Sequence, residues 1–422
     1  MRVMKDSGVY WIGSIPKNWL LLPTKRFFRT EKRIVGDSDN EYERLALTMQ
    51  GVIKRSKDDS EGLQPEKFEG YQILRENELV FKLIDLENVK TSRVGLSPYT
   101  GLVSPAYIVM TNDHKDNRFF YYWFMFMYYN EVFNQLGGTG VRSALNAKDV
   151  CNLPVPSIDY EEQSRIADYL DSKCSKIDSI IEKQKQIIEK LKEYKTSLIT
   201  EVVTKGLDPN VEMKDSGVEW IGKIPKHWFI TQLKRFCYFK TGTTPKTSNP
   251  LWFDGSLKWY TPMDFSDNYV LGDSSRTLTY RAKQDNVATI IPKNTVIIIG
   301  IGGTAGKIGL TLEECSCNQQ LTAIISQKIH HKYLMYWMIA NSRFLKETAL
   351  YTTLPIINNR TLADYLLIFP KDAQEQLKIS DYLDLKCLQI DKTISDRQIA
   401  IEKLQEYKKS LIYEVVTGKR EV

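Results

Sequence analysis

Two stretches of this chain are near copies. MKDSGVYWIGSIPKNW at 4–19 returns as MKDSGVEWIGKIPKHW at 213–228, with thirteen of sixteen positions identical at an offset of 209. EEQSRIADYLDSKCSKIDSIIEKQKQIIEKLKEYKTSLITEVVT (161–204) returns as QEQLKISDYLDLKCLQIDKTISDRQIAIEKLQEYKKSLIYEVVT (374–417), with 26 identities in 44 positions at an offset of 213. Between these ends the match is weak but traceable, as in RFFYYWFM (118–125) against KYLMYWMI (332–339). The 422 residues are therefore two copies of one fold with matching ends and divergent middles. Identical ends imply one mechanical task performed twice. Divergent middles on a shared frame imply two different tasks. A duplicated enzyme would keep its active-site residues alike, whereas these middles share mainly apolar framework positions.

The repeated tails predict long helices. Neither contains Gly or Pro, and both are rich in Glu, Lys, Gln, Leu and Ile. Each follows a proline-bearing strand end, which makes Asp159 and Asp372 candidate caps. A seam recurs every seven residues, at Leu170, Ile177, Gln184, Leu191 and Leu198 and at Cys174, Ile181, Ile188, Lys195 and Val202. The second copy repeats it at Leu383, Ile390, Arg397, Leu404 and Leu411 and at Cys387, Ile394, Ile401, Lys408 and Val415. Each helix would be roughly 60–65 Å long, too long to bury its stripe on one compact domain. Pairing as a coiled coil is the expected solution, and pseudo-twofold repetition favours the antiparallel direction. The other arrangement open to them packs each helix on its own domain. Antiparallel pairing would bring Gln184 and Arg397 together as a polar contact fixing register, unless both side chains simply reach to water.

The middles, roughly 20–157 and 229–370, mix short β-rich runs such as TVIIIG (295–300) with turn signals such as FDGS and LGGTG. The expected fold class is α/β, with two tandem domains joined by two long helices in an antiparallel, pseudo-twofold coiled coil. The limits are 1–157 for the first domain, 158–206 for the first helix, 207–370 for linker and second domain, and 371–422 for the second helix.

Composition narrows the function classes. A net charge of +6 makes an anionic partner such as nucleic acid plausible. Six cysteines do not make a disulfide scaffold, and Cys315 and Cys317 lack the second pair or nearby His of a zinc site, so no metal is expected. The apolar run FFYYWFMFMYY (119–129) is shorter than the roughly 20 residues that span a bilayer and reads as a buried helix. With no signal peptide at MRVMKDSGVYWIG, the expectation is a soluble, reduced, cytoplasmic protein without membrane contact. GIGGTAGKIG (300–309) fails the phosphate-loop pattern at Ile301 and Ile308, and strand character follows where a dinucleotide site needs a helix. It reads better as a Gly-rich loop that lets backbone approach another surface. SNPLW (248–252) departs from the amino-methyltransferase loop at Leu251. No nuclease cluster and no Ser/His/Asp arrangement can be assembled, so no catalytic residue is assigned.

The duplicated unit of variable domain plus long helix, entered by EEQ…IADYLD and EQ…ISDYLD, resembles the specificity subunits (HsdS) of Type I restriction–modification systems. FKTGTTPKTS (239–248), LKWYTPMDF (257–265), GTAGKIG (303–309) and NQQL (318–321) support the resemblance in the second domain, and the first lacks the GTTPK and GKIG stretches. The resemblance implies a non-catalytic reader of double-stranded DNA, in which each middle is a target-recognition domain for one half of a bipartite, asymmetric target. It implies that the helices set the spacer and dock two adenine-methyltransferase subunits, with motor–nuclease subunits joining them. S-adenosylmethionine, ATP and Mg would belong to those partners and no cofactor to this chain. Phosphate contacts position such readers, and Arg, Lys, Asn or Gln on base edges give specificity. Polar residues on Gly-rich loops are the candidates: Lys54, Arg55, Arg142, Thr243, Thr244, Lys246 and Lys307. Each is also an ordinary solvated loop residue. The competing readings are a coiled-coil scaffold with two protein-binding domains and an enzyme whose site is unrecognised.

Overall fold

A computed structural model describes residues 2–57, 67–84, 86, 93–136, 144–347, 350–351 and 355–422. The chain forms two compact units, Met1–Lys185 with Gln398–Val422, and Gln186–Arg397. Each unit holds one variable middle and one half of each long helix, so both helices are divided between the units.

The long helices run over Tyr160–Lys205 and Ala373–Val416. Both start on the expected caps: Asp159 Oδ1 accepts from the Glu162 amide at 2.7 Å and Asp372 Oδ1 from the Gln374 amide at 3.0 Å. Both stop at a glycine in the left-handed region, Gly206 (φ +77°) and Gly418 (φ +70°). The seam is buried along most of its length, including Leu170, Ile177, Ile181, Leu383, Ile401 and Leu411.

Within each unit the two half-helices are antiparallel. In the second unit Leu198, Val202 and Val203 join one hydrophobic cluster with Ile379, Leu383 and Cys387, and Lys195 Nζ meets the Asp391 carboxylate at 2.8 Å. In the first unit Lys408 Nζ meets Asp178 at 2.7 Å, with Glu162 and Ile166 beside Val415 and Gly418. Asp178 and Asp391 are equivalent in the repeat, as are Lys195 and Lys408, so one ion pair occurs twice. These pairs hold register inside the units. Gln184 lies in the first unit and Arg397 in the second.

The repeated opening phrase anchors chain to helix end. Trp228 donates through Nε1 to Glu375 at 2.9 Å, and Trp19 to Glu162 at 3.2 Å. Gly206 faces Trp228 and Pro225, and Gly418 faces Pro16 and Trp19. A Cβ on Gly418 would lie 2.4 Å from Pro16 Cγ, so only glycine satisfies both the backbone angle and the space. Trp11 packs on Trp123 and Phe126, and Trp220 stacks on Phe344 at 4.3 Å.

Each middle has the same frame. A four-stranded sheet is ordered Arg29–Thr30, Ile108–Thr111, Leu79–Phe81, Val94–Leu96 in the first unit. Its counterpart is Cys237–Thr241, Leu321–Ser326, Thr295–Ile299, Ile308–Thr311 in the second. Beside it, Arg44–Thr48 and Phe253–Tyr260 each pair parallel with a later strand. The apolar run at 119–129 is the buried helix Arg118–Tyr129, and its counterpart is His331–Glu347. Both helices are tied to the coil by the same device, Tyr122 hydroxyl to Asp171 at 2.6 Å and Tyr336 hydroxyl to Asp384 at 2.7 Å. Their tryptophans, Trp123 and Trp337, both donate to a backbone carbonyl at 3.0 Å. Among the described residues no helix is long and apolar enough to cross a membrane.

The coil and the helix beside it each yield a prediction. Lys195 is buried while Asp391 is half exposed, so Asp391→Ala strands a buried ammonium and is expected to cost about 1–2 kcal/mol in urea denaturation. Lys195→Met removes the charge with its desolvation cost and is expected to cost less. Burial, reinforced by His330 and Lys332, lowers the His331 pKa from 6.5 to about 4. The unfolded chain then takes up this proton more readily than the folded one. The His331 contribution to stability is complete above pH 6.5 and is lost as pH falls toward 4, and His331→Gln is expected to flatten that part of a melting-temperature profile.

Candidate nucleic-acid interface

The sheet of the second unit ends in a cleft of about 460 Å³ walled by Thr241, Gln319, Gln320, Asn358, Asn359 and Arg360. Glycine builds its floor. Gly300 donates its amide to Gln320 O at 2.7 Å and accepts from the Ile357 amide at 2.8 Å, with room for a Cβ only 3.0 Å from Ile357 O. The Gly-rich loop thus brings backbone against backbone, as its sequence suggests. At the rim, a Cβ on Gly242 would fall 2.2 Å from Asn318 O, so the GTTPK turn lies directly on the NQQ segment.

Polar side chains inside the cleft are held by one another. Asn359 Nδ2 donates to Thr241 Oγ1 at 3.0 Å, and Thr322 Oγ1 donates to Asn359 Oδ1 at 3.3 Å. Asn358 caps the short helix Asn359–Asp364 by accepting from the Thr361 amide at 2.9 Å. Arg360 is exposed at the mouth. Amides and a guanidinium on a rigid frame are the groups that read base edges.

The sequence candidates distribute unevenly around this cleft. Thr244 donates its hydroxyl to Gln319 Oε1 and so reaches the wall. Thr243 is structural: its hydroxyl accepts from the Thr289 amide at 2.8 Å, and its carbonyl accepts from the Trp259 indole at 3.1 Å. Lys246 is exposed on the same turn. Lys307 lies away from the cleft, with Nζ 3.4 Å from Phe265 O and 3.7 Å from the Asp267 carboxylate.

In the first unit Lys54 and Arg55 line a groove of about 500 Å³ together with Tyr42, Glu43, Arg44 and Lys57. Lys54 pairs with Glu43 at 2.5 Å, and this hydrogen bond raises its pKa above the ordinary lysine value. Arg44 and Lys57 lie 6.0 Å and 5.6 Å from the Phe68 ring, so the groove is cationic with an aromatic backing. Arg142 lies outside the described residues. At the places equivalent to Asn359 and Arg360 the first unit has Ala147 and Lys148 after a matching Asn146 cap. The two units therefore offer different chemistry on one frame.

Gln319, Gln320, Asn359 and Arg360 were not singled out by their residue types. The signal was the adjacency of the amides in NQQ and INNR, but only the fold brings positions 319 and 359 together.

Residues 225–403 match the Type I restriction modification DNA specificity domain. A stretch of 168 residues is 27% identical to the Type I restriction enzyme MjaIX specificity subunit of Methanocaldococcus jannaschii, covering 39% of this chain and 38% of that protein. The chain thus aligns with well under half the length of that relative. Among solved structures, one described as the "structural basis underlying complex assembly and conformational transition of the type I R-M system" aligns with TM-score 0.69 at 14% identity, over 95% of this chain and 98% of that one. The crystal structure of the HsdS subunit from Thermoanaerobacter tengcongensis aligns over 96% of this chain and 98% of its own, with TM-score 0.49 and 14% identity. Residues 225–403, within the second copy of the duplicated frame, are thus similar to the DNA specificity domain of Type I restriction–modification systems.

Proposed function

We propose that the chain is the non-catalytic reader of a bipartite, asymmetric DNA target, with one half-target for each unit. The observation that carries this reading is the contrast between identical coil contacts and unlike clefts. Asp178–Lys408 and Asp391–Lys195 repeat one ion pair, while Asn359 and Arg360 at the second unit's cleft are replaced by Ala147 and Lys148 in the first, whose cationic groove lies elsewhere on the frame, at 42–57. Equivalent frames with unlike surfaces suit two different base sequences.

On this reading the exposed faces of the long helices dock adenine-methyltransferase subunits, two in all, and motor–nuclease subunits join that core. S-adenosylmethionine, ATP and Mg are then bound by the partners, and the complex works in the cytoplasm. Leu385 and Leu388 support docking on the second long helix, because they are exposed at a spacing that puts both on one face. The scaffold alternative predicts protein partners without DNA.

Co-expression of the chain with its neighbouring methyltransferase, followed by mapping of modified adenines in host DNA, is expected to give a split motif with a constant gap. Exchanging residues 20–157 for another reader should change one half of that motif only. Methyltransferase activity from this chain alone, or the absence of any motif, would overturn the proposal. Lys246→Ala in the assembled complex is expected to weaken binding to all sequences and to lower the salt slope by about 1. Leu388→Lys should weaken methyltransferase capture in a pull-down, with the melting temperature unchanged.

A further inference from the structure

The three amides at 318–320 have a fixed polarity that decides what the second cleft accepts. The backbone N–H of Gln320 donates to Asn318 Oδ1 at 3.1 Å, and a backbone N–H can only donate, so the Asn318 oxygen is assigned. Its other atom, Nδ2, is therefore a donor, and it meets Gln320 Oε1 at 3.0 Å. Turning the Gln320 amide over would set two NH₂ groups against each other. Asn318 Nδ2 takes one lone pair of the Gln320 carbonyl and fixes which way that amide faces, so both hydrogens of Nε2 are turned to the cleft. Gly302, lacking a side chain, keeps the space beside Nε2 open: a Cβ there would lie 3.8 Å from it. Gln319 beside it is held by the Thr244 hydroxyl and adds a second amide to this wall. Arg360, at the mouth, carries donors only.

Three neighbouring groups thus present hydrogen-bond donors. Of the four bases, guanine alone shows two acceptors, O6 and N7, on its major-groove edge. Adenine and cytosine each show a donor amino group there, and thymine shows one acceptor beside a methyl. We propose that Gln320, flanked by Gln319 and Arg360, is a specificity-determining residue that reads a guanine in the half-target of the second unit. The proposal rests on the DNA-reading function above and adds the residue and the base.

The test uses the full chain co-expressed with its methyltransferase and reads the modified motif in host DNA. The motif half that survives exchange of residues 20–157 should contain an invariant G·C pair. Gln320→Glu replaces the donor by an acceptor-only carboxylate. It should lower relative modification of sites with that G·C pair roughly 10- to 100-fold in favour of a base with a donor edge, leaving the other half unchanged. Arg360→Ala, which leaves the Asn318–Gln320 relay intact, should weaken discrimination at or next to the same position and decides the matter if Gln320→Glu fails to fold. An unchanged motif with both variants folded, or a surviving half without a G·C pair, would overturn the assignment of Gln320 while leaving DNA reading in place. A wild-type chain that yields no split motif would instead overturn the DNA-reading function itself.

Discussion

The apolar seam on the long helices is the constraint on which the rest of the structure depends. A helix of 46 residues with a stripe repeating every seven cannot stand in water alone, and a domain of ordinary size cannot cover it. Each helix therefore shares its length between two units, and in each unit the other helix runs back along it. Everything that reads a ligand is mounted on this frame through a short set of contacts: a tyrosine to a coil aspartate, a tryptophan to the first helical turn, and a glycine fitted under proline and indole. Because these contacts occur twice, the middles were free to diverge without loosening their mounting.

Divergence has then acted on side chains more than on topology. Both units keep the strand order of one four-stranded sheet and the same Asn cap before the last short helix, Asn146 and Asn358. Directly after the cap stand Ala147 and Lys148 in the first unit, and Asn359 and Arg360 in the second. A cationic groove backed by Phe68 in the first unit and a cleft with amides on its wall in the second lie at different places on the frame. In the second, a backbone N–H fixes which way the Asn318 amide faces, and Asn318 in turn orients Gln320.

The frame was legible in the sequence because repetition and periodicity are properties of the chain itself. The caps at Asp159 and Asp372 and the buried helix around 119–129 could be read directly. The Asp–Lys pairs were harder to see. Lys195 and Lys408 stand in an otherwise largely apolar seam, and their partners lie 196 and 230 residues away. The reading surface was least legible, because its walls come from segments near 241, 300, 320 and 358 that only the sheet brings together. Loop lysines draw attention by charge, yet Lys307 turns to the Phe265 carbonyl, while uncharged glutamines line the cleft.

The doubled ion pair has one more implication. Asp178 and Lys195 lie on the first helix, and Asp391 and Lys408 occupy the same two places on the second. Each helix thus carries both members of the pair, in the order that an antiparallel partner of like sequence requires. The pairing code is self-complementary and complete within a single repeat. Duplication was therefore unnecessary for building the interface; its contribution was to let each of two dissimilar middles carry the same self-matching helix.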